Sequence, residues 1–239
     1  MHMDIAQYII TGIVIIIALT FHEFAHGLAS YSLGDSTAKS NGRLTLNPFA
    51  HVDFFGLIML FIVNFGWAKP VPINPYFYKN QRKGIIITSF AGPLANLILA
   101  FLSYLTFAFM IKNGYEMSNG LRAFFTTMVL LNVNLFIFNL LPIPPLDGSK
   151  IFAEIFRGKV ADFIYKIDNM GMLFLLIILM LPPTRSVLSF LSSKVILVME
   201  SLISNILWWL YGNKYKNRWI WRSTWSAVTS YKKSRGRYL

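Results

Sequence analysis

Long uncharged runs alternate with short polar segments along this chain, and their lengths predict membrane-spanning helices. The first runs from Ile5 to Leu33, and its stretch Ile9 to Phe21 carries no charge at all. Ile85 to Ile111 and Phe124 to Leu141 are each long enough, at about 1.5 Å per residue, to cross a hydrocarbon core roughly 30 Å thick. Val187 to Leu210 spans if Lys194 and Glu200 face the bundle or pair with each other. Gly171 to Leu181 is short alone and reaches span length only if extended back toward Tyr165. Phe54 to Phe65 is also short and is interrupted by Gly56, Asn64 and Gly66, which suits a re-entrant or half-spanning element. The pattern predicts an all-α polytopic membrane protein with about five transmembrane helices plus that short element.

Composition agrees. Hydrophobic residues make up 55% of the 239 and charged residues only 13%, against roughly 25% charged in soluble domains. The first run lacks a basic n-region and a small-residue cleavage site, so it reads as a retained helix, not a signal peptide. No repeat is evident, and no polar segment is long enough to fold alone. The expected division is a membrane domain over residues 1–212 and a basic, aromatic tail over 213–239.

Inside the first apolar run stands His22-Glu23-Phe24-Ala25-His26. This spacing puts two imidazoles one helical turn apart on one face, where both can reach a single Zn²⁺. The glutamate between them can take a proton from a zinc-bound water. In a bilayer, uncompensated His and Glu cost several kcal/mol each, so their presence there argues for function. The chain has no cysteine and only four histidines, His2, His22, His26 and His51, so further ligands must be His, Asp or Glu. Zinc in a catalytic site needs three protein ligands and an open position. Asp147, in Asn139-Leu140-Leu141-Pro142-Ile143-Pro144-Pro145-Leu146-Asp147-Gly148, follows directly on a span whose helix the prolines end. It is the candidate third ligand; the competing reading is a turn residue in a Pro-Asp-Gly-rich loop.

Loop charges orient the spans. Lys and Arg number six in Leu33–Gly84, two in Lys112–Arg122, four in Asp147–Asp168 and eight after Gly212. With five spans and a returning short element, the basic regions fall on one side, which the positive-inside rule makes cytoplasmic. The His22–His26 end of the first span and the Asp147 end of Phe124–Leu141 then share that face. The tail interleaves its bases with Trp219, Trp221, Trp225 and Tyr231. Such a stripe can stack on nucleic acid, but its plainer reading is a cytoplasmic segment on anionic headgroups, and no nucleic-acid partner is expected.

The motif His22-Glu23-Phe24-Ala25-His26-Gly27 on a membrane helix, paired with Asn139-x-x-Pro-x-x-Pro-Leu-Asp147-Gly148, resembles the site-2 protease family of intramembrane zinc metalloproteases. Leu46–Asp53, Gly66–Pro72 and Ala91–Asn96 are similar too, so the resemblance covers roughly Phe21 to Lys150. It implies one Zn²⁺ held by His22, His26 and Asp147, Glu23 as general base, and single-span membrane proteins as substrates. No insertion is long enough for a PDZ domain, so the compact subgroup is implied.

Three more residues are candidates for oxyanion stabilisation or substrate positioning. Asn96 and Asn139 lie in or at the end of spans, where an amide either bonds across helices or stabilises a tetrahedral oxyanion. His51, with Asp53, either positions substrate or orders the short apolar element. Pro70–Pro75 cannot be helical and offers an extended edge to an unwound substrate. The rival classes are a metal-binding transporter, which would spread polar residues along several spans, and a catalytically silent scaffold, which would not need Glu23.

Overall fold

The computed structural model describes residues 5–63 and 68–211. Its helices of ten residues or more are α1 (Ile5–Ser32), α2 (Phe54–Val63), α3 (Gln81–Lys112), α4 (Asn119–Asn139), α5 (Asp147–Phe156), α6 (Gly158–Ile167), α7 (Gly171–Met180) and α8 (Pro182–Tyr211). Among the described residues four segments are long and apolar enough to cross a membrane: α1, α3, α4 and Ser186–Tyr211 of α8. The all-α polytopic class expected from the apolar runs is the observed one.

Local chemistry sets where these helices begin and end. The Asn80 side chain accepts from the Lys83 N–H (3.0 Å) and Ser118 from the Leu121 N–H (3.3 Å), each satisfying a donor the first turn leaves free. Gly114 takes φ +71° past the end of α3, the left-handed cap that glycine allows. The bundle closes where Ala100, Tyr104 and Ala108 of α3 meet Val129, Val133 and Ile137 of α4 and Ile196, Met199 and Ile203 of α8. Small residues at the seam let the backbones approach, which is how helices gain dispersion energy where lipid is as apolar as leucine.

The short element returns to its starting point. Val52 and Ala68 form an antiparallel bridge, and the Lys69 N–H donates to the His51 carbonyl (2.8 Å). The chain therefore enters and leaves the α2 excursion at one place. Asp53 begins α2, its carboxylate accepting from the Gly56 N–H (2.8 Å).

Two expectations change. Gly171–Leu181 does not form a span: α7 has 10 residues, about 15 Å, and Leu181 turns to extended backbone before Pro182-Pro183. With four long helices instead of five, α8 runs the other way from the one expected. Ser192 donates to Asn134 near the Asp147 end of α4 (2.6 Å), whereas Lys112, at the far end of α3, donates to the Leu207 carbonyl (3.2 Å) and lies over the Tyr211 ring (3.7 Å). The described chain leaves α8 at the end opposite Asp147. Residues 213–239 themselves lie outside the described residues.

The missing cysteines make this topology testable. Cysteines replacing Ser118 and Asn213 should react with an impermeant maleimide from the same side of sealed membranes, and one replacing Tyr76 from the other side. Labelling of positions 213 and 76 from one side would restore the fifth crossing.

Candidate metal centre

His22 and His26 sit one turn apart on α1, each 6% exposed, and both rings are fixed through Nδ1. His22 Nδ1 lies 2.7 Å from Asn96 Oδ1, and His26 Nδ1 lies 2.7 Å from the Thr88 carbonyl. The Asn96 orientation follows from its other contacts: Nδ2 donates to the Ala18 carbonyl (3.2 Å) and to Asn132 Oδ1 (2.9 Å). With acceptors at both Nδ1 atoms, each imidazole carries its proton there and turns an Nε2 lone pair inward.

Those lone pairs converge with a carboxylate. The two Nε2 atoms are 3.0 Å apart, and Asp147 Oδ2 lies 3.3 Å from His22 Nε2 and 3.2 Å from His26 Nε2. Three electron-rich atoms so close repel unless a cation lies among them. Metal–ligand bonds of about 2.0–2.1 Å in tetrahedral geometry put ligand atoms about 3.3 Å apart, so the triangle has the dimensions of three vertices around zinc. His22, His26 and Asp147 are the His/Asp/Glu cluster of metal-binding geometry found among the described residues.

Each element delivers its side chain to the cluster for a local reason. Asp147 opens α5 immediately after the irregular Pro142–Leu146 segment, and Gly148 beside it touches the end of α4. A Cβ at Gly148 would stand 2.3 Å from the Leu140 carbonyl oxygen, so only glycine lets that turn close. Gly92 does the same for the imidazoles: a Cβ there would lie 2.3 Å from His26 Nε2 and 2.8 Å from His22 Cε1. The cluster is shallow. Thr88 is six residues from Arg82 and His26 six from Ser32, about 9 Å along either helix from its polar end.

Glu23 points to a different partner. Its Oε2 accepts from the Val71 N–H (2.9 Å) and Oε1 has no partner among the described residues. Val71 belongs to a strap, residues 69–74, that runs beside the cluster without regular structure, whereas Pro75, expected to be non-helical, opens a short 3-10 turn, Pro75–Phe77. Asp35 holds the strap's far end, accepting from the Asn74 N–H (2.8 Å). Burial works to raise the Asp35 carboxyl, but hydrogen bonds from Asn74, Thr37 and Ser30 outweigh it and leave the group below its ordinary value. A cavity of about 670 Å³ joins the cluster, the strap and apolar side chains such as Leu19, Leu135, Phe138 and Leu175.

The remaining candidates separate. Asn139 lines the cavity and spends one N–H on the Leu135 carbonyl (3.0 Å), keeping the other. Asn96 has both N–H groups engaged inside the bundle and is a partner of His22, with no donor left for an oxyanion. His51 is fully buried outside the cavity lining, donating Nε2–H to the Thr45 carbonyl (2.7 Å) and holding Lys69 through its own carbonyl. His2 lies outside the described residues. Reading the sequence missed the contributions of Gly92, Thr88, Asn132 and the Val71 N–H. Two of these act through backbone atoms, which no residue type announces.

Gly92→Ala should cost most of the bound zinc, measured by atomic absorption on protein whose helical circular dichroism is unchanged. Retention of one zinc per chain would show that the imidazoles do not occupy these positions.

Comparisons with known proteins bear on the family of the chain. Residues 108–181 match the model of peptidase family M50. A Bacillus subtilis protein named "Putative zinc metalloprotease YwhC" is 42% identical over 174 residues, 71% of this chain and 80% of that protein. "Putative zinc metalloprotease Rip2" of Mycobacterium tuberculosis is 29% identical over 173 residues, 70% of this chain and 65% of its own length. "Putative zinc metalloprotease MJ0611" of Methanocaldococcus jannaschii is 31% identical over 156 residues, 62% of this chain and 71% of that protein. No solved structure matches. A membrane bundle with a zinc-shaped His–His–Asp triangle, and relatives bearing that name across most of its length, place the chain in peptidase family M50, the site-2 protease family of zinc metalloproteases.

Proposed function

We propose that this zinc metalloprotease cuts peptide bonds in or near the transmembrane helices of single-span membrane proteins, with His22, His26 and Asp147 as metal ligands and Glu23 as general base. The observation that carries the reading is the Nε2–Nε2–Oδ2 triangle with edges of 3.0–3.3 Å, about 9 Å inside the membrane domain. Zinc, when bound, polarises the scissile carbonyl and lowers the pKa of a coordinated water toward about 7. Glu23 then accepts the proton of the attacking water on its free Oε1 and passes it to the departing amine, while Val71 keeps Oε2 in place. The spare N–H of Asn139 is the side-chain amide donor available to the developing oxyanion.

A substrate helix hides its carbonyls in i to i+4 bonds and must unwind before attack. The strap supports that step. Pro70 and Pro72 carry no N–H, and among the described residues no hydrogen bond engages the Ile73 N–H, so a free backbone edge lies beside the cluster. An unwound segment can add to it as a strand.

The metal end of the bundle is inferred to face the cytoplasm. Residues 33–84 and 147–168 at that end hold ten Lys and Arg, against two in 112–122 at the other. The eight in the tail follow the opposite end of α8, so the bias comes from the loops alone.

Two variants separate base from ligand. Glu23→Gln should abolish cleavage of a single-span substrate in liposomes while keeping close to one zinc per chain. Asp147→Ala should lose activity and most of the metal together, because two imidazoles remain. Full activity of Glu23→Gln would remove the mechanism, and an unchanged zinc content in Asp147→Ala would remove that ligand.

A further inference from the structure

Arg43 is buried (9% exposed) and has no carboxylate partner among the described residues; its Nε has no partner there either. Burying an unpaired cation costs several kcal/mol, so a residue of this kind is an expensive loop anchor. Its Nη2 donates to the carbonyls of Lys69 (2.6 Å) and Pro70 (3.1 Å), the two peptide groups immediately before Val71.

The chemistry of the strap explains why those carbonyls matter. Prolines at 70 and 72 remove the donors on either side of Val71, so no ladder of N–H bonds can set the strap's height above the site. The Lys69 N–H is already spent on His51, and Val71 Cγ1 lies 3.3 Å from where a Cβ would stand on Gly27 of α1, one turn beyond Glu23. What is left to grip is carbonyl oxygen, and Arg43 is the donor that grips it. Both bonds come from Nη2, whose two hydrogens are held in the fixed plane of the guanidinium, whereas an ammonium rotates on a flexible stem. Arg43 is itself fixed, its N–H bonded to the Ala38 carbonyl (2.8 Å) in the turn that follows α1.

We propose that Arg43 is a positioning residue for Glu23: by holding the Lys69 and Pro70 carbonyls it presents the Val71 N–H that fixes the carboxylate. The proposal rests on the reading of Glu23 as general base. It makes the strap part of the catalytic apparatus as well as an edge for substrate, since the backbone that would receive the unwound segment also orients the base.

The test is a double-mutant cycle on the full-length protein in liposomes with a single-span substrate. Arg43→Gln should lower kcat by about 10- to 100-fold, with KM within about threefold and zinc content unchanged. Arg43→Lys should fall between it and the parent, and it carries the test if the glutamine variant does not fold. Glu23→Asp retains a carboxylate too short to reach Val71, so in that background Arg43→Gln should cost less than about threefold. Equal losses in both backgrounds would overturn the coupling. So would a defect confined to KM, or one that tracks lost zinc. Activity in Glu23→Gln would instead sink the base assignment, whereas an inactive Glu23→Gln with multiplicative Arg43 losses would sink only this inference.

Discussion

The proposed metal centre depends on two hydrogen bonds that point away from it. His22 Nδ1 to Asn96 and His26 Nδ1 to the Thr88 carbonyl, both 2.7 Å, decide which imidazole nitrogen keeps its proton. Reversing either tautomer would aim an N–H at the ion position and leave a buried lone pair facing an acceptor. The bonds are also structural. Asn96 passes its amide protons to Ala18 on α1 and Asn132 on α4, so one buried side chain ties three helices together at the height of the cluster. In a bilayer such polar contacts are among the few directional forces that set helix register.

Proline and glycine supply the rest of the geometry. Pro142, Pro144 and Pro145 end α4 and let the chain turn irregularly, and Gly148 allows the turn to close so that Asp147 reaches the imidazoles. Pro70 and Pro72 keep the strap extended. Gly92 removes a Cβ that would collide with the two imidazoles. These residues work by what they lack, an N–H or a side chain, and their effect becomes visible once a neighbouring element is in place.

That distinction explains what could be read from the chain. The membrane class, the short element and the His22–Glu23–His26 cluster were legible because apolar run length and one-turn spacing are local properties. Asp147 was legible because ionisable residues are rare beside a span. The number of spans was not. Gly171–Leu181 and Val187–Leu210 look like two crossings by hydropathy, and whether a ten-residue apolar helix crosses depends on packing against α8 and on the break at Pro182-Pro183. One span fewer reverses the direction of α8. Asn96 showed the same limit: its type announced an important amide, but only the fold shows that its protons face Ala18 and Asn132.

The central claim is that His22, His26 and Asp147 together hold the zinc. Zinc K-edge X-ray absorption on the purified protein measures it most directly. The account predicts four light-atom ligands at about 2.0–2.1 Å, with the outer-shell scattering of two imidazoles. Asn96→Leu, by freeing the His22 ring, should leave the scattering of one well-ordered imidazole. A first shell with a single imidazole in the parent protein, or two equally ordered rings in Asn96→Leu, would contradict the account.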